Sequence, residues 1–563
     1  MQSSSSNIYL DEFKRVACRA FSMWHREPAS PSSGSFDRQY WGWKKKDFSD
    51  TTLQFAVKLT VEYAHMTSMT STLPLLLEEY VNYCKGVQLK NGSFDQCYPN
   101  EHAPGVVYDL LSTFIYLRES PYLHSHRAQN DLDEIMERAV GFALKTDEKH
   151  GDIANHIAEY AYELFNYASY SGDKKAYAKG EEHFEKLLSL FDDSEGWFEE
   201  YHGPDAGYQT RTLRFLVKCA LLLDKSEIWK MIQKATNFID NMLMPDGSIH
   251  PMLGSRSTAL LYPSAFELLA VHDSIYEGLA VRVRKSWENS KVPIPSWLDF
   301  DNAIRLADDA REAADALASN SNRHNKDYDT IRLGQADQRI ELPNAGITII
   351  HKKQLIIYIG SRLGGIVVVY GKHGNERWKL LYEDSGYLLR SSDNKAGWIS
   401  RMPGTGCLKE TSENRLLIQA YFYKSLHDEV TPTRLVLLRL LCMTFLRFQW
   451  IGDLFRKVVV RHLMSRRNKI PISLLREIKI LPDSLRVTDR ICDRRKKGNT
   501  SRSERLFRCR RITGTHMASA RYFQVQELED TMLDWIREIP LALDRETMNE
   551  VEISIEGYNI KNA

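Results

Sequence analysis

Residues 305–329 read RLADDAREAADALASNSNRHNKDYD, and residues 345–361 read AGITIIHKKQLIIYIGS. The first stretch starts Ala-rich with helical spacing and then loses all periodicity; the second is a run of β-branched and apolar residues of the kind that pleats into strands. The hydrophobic period therefore changes here from three-to-four to two, which sets a domain boundary near residue 325. Towards the N-terminus, apolar residues recur as in Leu73, Leu77, Tyr80, Val81, Cys84 and in Ile153, Ile157, Ala161, Leu164, Ala168, a helical pattern. The breaks between helices are short and rich in Gly, Pro, Asp and Asn: KNGSFD at 90–95, YPNEHAPG at 98–105, EYHGPDAG at 200–207 and MPDGSIHP at 244–251. Helices joined by such loops stack into an array whose loops gather at one end and line a groove. Towards the C-terminus, GGIVVVYG at 364–371, RLLIQAYFY at 415–423 and VEISIEGY at 551–558 read as strands separated by Gly and Asn turns.

The bulk numbers agree with a chain of several units. A length of 563 residues exceeds what one hydrophobic core supports, so two or three packed units are expected. With 75 Lys+Arg against 74 Asp+Glu the net charge is +1, which offers no global field for a nucleic acid; an anionic ligand must be met locally. The eight cysteines form no CxxC pair, so neither disulfides nor a cysteine-ligated zinc is expected. The N-terminus, MQSSSSNIYLDEFKRV, lacks the apolar core of a secretory signal. No stretch reaches the roughly 18 apolar residues of a spanning helix. A cytoplasmic or inner-membrane-peripheral location is the expectation, with the periplasm left open.

One segment departs from the sheet-like second half. Residues 431–471, TPTRLVLLRLLCMTFLRFQWIGDLFRKVVVRHLMSRRNKIP, have a helical period and carry Arg434, Arg439, Arg447, Arg456, Lys457, Arg461, Arg466 and Arg467 among Leu, Phe and Trp. Two readings stay open: a basic helix lying peripherally on an anionic membrane, or a helical insertion packed on the sheets.

Six strings in order along 88–387 resemble the heparinase II/III-like polysaccharide lyase superfamily, especially members encoded with bacterial surface-polysaccharide genes: QLKNGSFDQCYPNEHAP, DIANHIAEYAYEL, EGWFEEYHGPDAGYQTRTLRFL, PDGSIHPMLGSRST, LPNAGITII and YEDSGY. The resemblance implies a multi-domain α+β chain, with an incomplete (α/α) toroid over 1–325 and an antiparallel β-sandwich over 326–563 that carries the helical insertion 431–471. It also implies β-elimination beside a uronic acid in an acidic polysaccharide. That reaction needs a donor that neutralises the uronate carboxylate, a base for the proton next to it, and an acid for the departing oxygen.

By that resemblance Asn155 is the neutraliser, an amide able to donate two hydrogen bonds, and His156 shares the role or acts as base. Tyr208, after a sharply turned Gly-Pro-Asp-Ala-Gly run, is the proton-transfer residue, with Tyr201 its rival. A phenol titrates near roughly 10, so as base it needs positive charge or donors nearby, for which His156, His202 and Arg256 are the candidates. His373, in VVYGKHGNERW, resembles the sandwich histidine that reaches into the groove. Arg256 is a contact for the substrate carboxylate; Asn100, Glu101 and His102 line the far side, and Trp41 and Trp43 stack on sugar rings. The chain departs from the metal-binding members: His373 is followed by Gly374, Asn375 and Glu376, and Asp384 alone is a poor site. No cofactor is assigned.

Two other classes fit the same residues. A glycoside hydrolase needs a pair of carboxylates flanking the bond, for which Asp95, Glu101, Glu199 and Asp205 stand in suitable loops. A glycan-binding factor of a surface-polysaccharide system needs no chemistry at all.

Overall fold

The computed structural model describes residues 7–27, 30, 32–36, 55–94, 105–147, 153–298, 300–319, 338–352, 354–372, 377–390, 397–425, 432–448, 450–451, 454–455, 458, 468–482, 484–495, 505–510, 536–539, 547–554 and 557–562. Trp41, Trp43, Asp95, Asn100, Glu101, His102 and His373 lie outside them.

Twelve helices come first among the described residues: α1 (Ile8–Met23), α2 (Ala56–Met66), α3 (Leu73–Val87), α4 (Gly105–Glu119), α5 (His126–Ala143), α6 (Ala154–Ser171), α7 (Lys174–Ser189), α8 (Ala206–Leu223), α9 (Ser226–Met242), α10 (Ser264–His272), α11 (Glu277–Glu288) and α12 (Phe300–Ser319). Several begin at residues whose side chains accept from the exposed N–H groups of the first turn: Asn7 for α1, Ser125 for α5, Asp173 for α7 and Asp205 for α8, as helix starts require. The even-numbered helices pack in succession from α2 to α12, and α12 returns to α2. The helices α5, α7, α9 and α11 each lie on the even-numbered helix before them.

Ion pairs are buried between the even-numbered helices. Lys58 reaches Asp308 at 2.7 Å, Arg211 reaches Glu159 at 2.8 Å, Lys218 reaches Glu312 at 2.7 Å, and Arg214 bonds both Asp308 and Glu312. Arg305 pairs with Asp109. Burial pushes the Glu159 carboxyl up to about 8 against the pull of Arg211; burial also raises neighbouring Asp109, but Arg305, Arg211 and a hydrogen bond from Glu159 together outweigh it and hold that carboxyl below its ordinary range. Such pairs tie α2, α4, α6 and α8 to their partners by geometry more than by net energy, because desolvation cancels much of the attraction.

The change from helix to sheet falls between Ser319 and Arg339. A five-stranded antiparallel meander follows, β3 (Arg339–Leu342), β4 (Ile347–Lys352), β5 (Leu355–Gly360), β6 (Ile366–Gly371) and β7 (Lys379–Asp384), with the strands paired in sequence order. Both faces of β5 and β6 are buried. Ile356, Tyr358, Val368 and Tyr370 join the core of the helices, whereas Ile357, Ile359, Val367 and Val369 join Leu416, Ile418, Ile478 and Val487 of a second sheet. The meander is thus a middle layer, which explains its unbroken apolar runs: with side chains alternating across a covered strand, both sets must be apolar.

The second sheet is antiparallel with ten strands among the described residues, in the order β15, β14, β8, β9, β11, β12, β13, β16, β17, with β10 also paired to β11. These are β8 (Tyr387–Arg390), β9 (Gly397–Ile399), β10 (Cys407–Ser412), β11 (Arg415–Ser425), β12 (Lys469–Ile480), β13 (Ser484–Asp493), β14 (Arg505–Cys509), β15 (Ile536–Ile539), β16 (Thr547–Ser554) and β17 (Gly557–Asn562). Between β11 and β12 lies α13 (Pro432–Met443), followed by a short 3-10 turn at Phe445–Arg447 and helical residues among 450–458. The segment read from sequence as an insertion to residue 471 is shorter: Lys469 already pairs with Tyr423 in β12, because KIPISLLREIKI alternates with period two.

Candidate functional site

The chain 195–208, EGWFEEYHGPDAGY, positions most of the site. A two-stranded hairpin, β1 (Phe191–Asp192) with β2 (Trp197–Phe198), turns at Gly196. Its outgoing strand continues to Glu200, which bridges Ile153 antiparallel just before α6. The pairing sets the first turn of α6 beside Glu200. The Glu200 Oε1 atom accepts from the backbone N–H of Asn155 at 2.9 Å and from its Nδ2 at 2.8 Å.

Beyond Glu200 the backbone turns through Tyr201 and His202, both at positive φ (53° and 80°), and Ser257 in the facing loop is also left-handed at 56°. Non-glycine residues seldom hold this conformation, and its concentration in two touching loops marks a site whose shape is imposed by its surroundings. Those surroundings are hydrogen bonds. Glu200 N–H donates to Gly203 O, Ser255 N–H to Pro204 O, and the Ser255 hydroxyl to Glu200 O.

Asp205 caps α8 and ties the loops together. Its Oδ1 accepts from Tyr208 N–H at 3.1 Å, and its Oδ2 accepts from Arg256 N–H at 2.9 Å and Thr258 N–H at 3.3 Å. With both oxygens held by backbone and no exposure, Asp205 is a structural cap, which counts against it as one of the hydrolase carboxylates. Glu199 likewise accepts from His202 N–H. At Gly207 a Cβ would stand 2.8 Å from Leu260 O, so only glycine lets α8 start this close to the segment 258–260.

Arg256 is the electrostatic centre. Its guanidinium lies 4.1 Å from the centroid of the Tyr201 ring and 5.3 Å from that of Tyr208. Burial alone would lower its pKa, but the Tyr208 and Tyr201 phenols and Glu200 outweigh that and hold it above its ordinary value, so the cation persists. Glu200 is 1 % exposed and burial pushes its carboxyl up to about 7, against the hydrogen bonds from Asn155 and the charge of Arg256. Its Oε2 and the Asn155 Oδ1 are both buried without a hydrogen-bond partner.

The sequence-derived residues are thus partly gathered. Asn155, Tyr201, Tyr208 and Arg256 share one cluster built around Glu200. His156 follows Asn155 on α6 with its ring 6.1 Å from that of Tyr160, and His202 is exposed. Asp384 is committed elsewhere: it accepts from Arg476, Arg508 and Tyr382. Its Oδ2 is therefore taken up by the two guanidinium groups and the Tyr382 hydroxyl, and its Oδ1 accepts from Gly386 N–H at 2.7 Å.

Two residues of the cluster were not found from sequence. Glu200 owes its place to a strand pairing with Ile153 that no local pattern announces. Arg401 comes from the sheet half; it donates from its Nη2 to Met252 O at 3.1 Å and Gly254 O at 2.8 Å, fastening the loop that carries Arg256. Burial pushes the Arg401 guanidinium down to about 10, with Asp205 pulling the other way. Other contacts clamp the two halves at this end: His250 with Glu383 at 3.0 Å, Ser248 with Tyr370 at 3.3 Å, and Asn344, which donates from its backbone to Glu195 at 2.6 Å and from its amide to Asp192 at 2.8 Å.

No protein-family model and no curated relative matches this chain. Among solved structures it is similar to a heparinase III, at 10% identity and TM-score 0.42 over 96% of this chain and 76% of the other. It is also similar to the heparan sulfate lyase of Pedobacter heparinus, at 9% and 0.42 over 98% and 88%, and to a chondroitin AC lyase of Streptomyces coelicolor, at 8% and 0.49 over 90% and 68%. At these values the likeness is one of chain path.

Proposed function

We propose that the protein is a polysaccharide lyase that cleaves an acidic polysaccharide beside a uronic acid by β-elimination, in a toroid-and-sandwich architecture. The observation that carries the reading is the Arg256 guanidinium fixed over the Tyr208 ring. The guanidinium stands beside the phenol where negative charge would build in the transition state as Tyr208 takes the proton next to the uronate carboxylate. The electron pair left behind forms the new C=C bond and the glycosidic C–O bond breaks. The same phenol then returns its proton to the departing oxygen. Asn155 directs one amide N–H to Glu200 and has a second for the uronate carboxylate. His373 is the second acid or base of this reading.

The test is a panel of uronate-containing polymers followed at the ultraviolet band of the unsaturated product. Elimination gives that band and hydrolysis does not; silence across the whole panel sinks the proposal.

Glu200 adds a pH dependence. Below pH 7 it is mostly protonated and neutral; above it, a carboxylate charge stands beside Asn155 and repels the arriving uronate. KM is therefore expected to rise as pH passes from about 6 to 8. The variant Glu200→Gln, which keeps the accepting oxygen and cannot ionise, is expected to flatten that rise. Initial-rate measurements across the range check it, and parallel profiles for both proteins would dismiss the role of Glu200.

A further inference from the structure

The helical segment between β11 and β12 is unlike the rest of the surface. Of the 23 large apolar side chains exposed among the described residues, ten lie within positions 436–458. Val436, Leu437 and Leu440 fall on one face of α13, and Trp450 and Leu454, both helical, stand four residues apart further on. Trp450 is 72% exposed and Phe445 63%. Soluble surfaces rarely gather such groups without a partner to cover them.

The charges of the same segment identify the partner. Residues 432–467 contain eight Arg and Lys and a single acidic residue, Asp453, a net charge of +7 in a chain whose total is +1. The remainder of the protein is therefore net negative, and the positive charge is concentrated in the same stretch of sequence as the exposed apolar side chains. We infer that this segment docks the protein peripherally on a lipid bilayer rich in anionic headgroups. The apolar side chains enter the acyl boundary, the cations meet the phosphates, and Trp450 sits at the headgroup level. The contact is interfacial, since no helix among the described residues is long and apolar enough to cross a membrane. A second copy of the chain fits poorly, because a two-fold interface would bring two segments of charge +7 together. A soluble polyanion would satisfy the cations and leave the apolar face exposed.

This surface is independent of the chemistry proposed above and is tested separately. The full chain is sedimented with vesicles of phosphatidylcholine alone or with about 30% phosphatidylglycerol, using the charge scale of membrane-bound basic segments. Binding to the anionic vesicles is expected to be at least tenfold tighter. The double variant Leu437→Ser, Trp450→Ser should weaken it at least tenfold. The pair Arg456→Gln, Lys457→Gln should weaken it roughly fivefold per cation removed. Leu437 and Trp450 are exposed, so the apolar variant should melt like the parent; the melting temperature of the charge variant is measured beside it. The proposal is overturned if the parent stays in the supernatant, or if binding ignores the apolar variant, as a purely ionic polyanion site would. It is also overturned if sedimentation equilibrium shows a dimer that the apolar variant dissolves while vesicles are not bound.

Discussion

Tyr208→Phe is expected to lower kcat on a uronate polymer by about 10²–10⁴, the usual worth of a positioned acid or base, with KM nearly unchanged. The ring stays, so its place beneath Arg256 and the hydrogen bond from its backbone N–H to Asp205 survive; only the oxygen that carries the proton is lost. The effect should fall at the top of that range, because one phenol serves as base and then as acid, and its removal disables both steps. The rate of appearance of the unsaturated product is the measurement. A kcat within threefold of the parent would move the proton transfer to another residue, Tyr201 first, since that ring lies closer to Arg256. A large rise in KM with kcat unchanged would mean that Tyr208 binds substrate and does no chemistry.

The second large effect concerns stability. Arg476 is fully buried in the ten-stranded sheet, donating to Asp489 twice at 2.7 Å, to Asp384 at 2.9 Å and to Gly365 O at 2.7 Å. Arg508 also reaches Asp384. Arg476→Ala leaves two buried carboxylates facing one cation and is expected to cost about 3–5 kcal/mol in the unfolding of the sheet half, the scale for breaking a buried pair from one side. Arg476→Lys should recover little of it, since an ammonium cannot reproduce the two-pronged contact with Asp489. Urea unfolding followed by a probe in the sheets measures both. A loss below about 1 kcal/mol for the alanine variant would show that water enters and solvates the carboxylates.

How much of this was legible varies with the range of the interaction. The change of hydrophobic period near residue 325 lies in short windows of sequence, and helix and sheet follow it on either side. Arg476 was open to a closer reading, since it falls in phase with Leu474 and Ile478 in an alternating strand, an inward charge that demands a buried partner. Tyr208 and Arg256 stand in Gly-, Pro- and Ser-rich loops that flag a turned backbone, and both belong to the cluster. Glu200 was passed over for Glu199, because which of two adjacent glutamates faces inward depends on the bridge to Ile153, a pairing between segments distant in sequence. Arg401 was invisible for the same reason at longer range, its partners being the carbonyls of Met252 and Gly254 in the other half.

The reach of Arg401 bears on how the molecule comes into being. The helices that carry Asn155 and Tyr208 and the loop that carries Arg256 are complete in the first 319 residues and leave the ribosome before Arg401 is made. Nascent chains settle from the N-terminal end as they emerge, so the helical array takes shape while the loop of Arg256 still lacks its fastening from the sheet half. A ribosome-bound intermediate of this protein is then a scaffold without a finished centre. Competence arrives late in translation, with the strands that close over the loop.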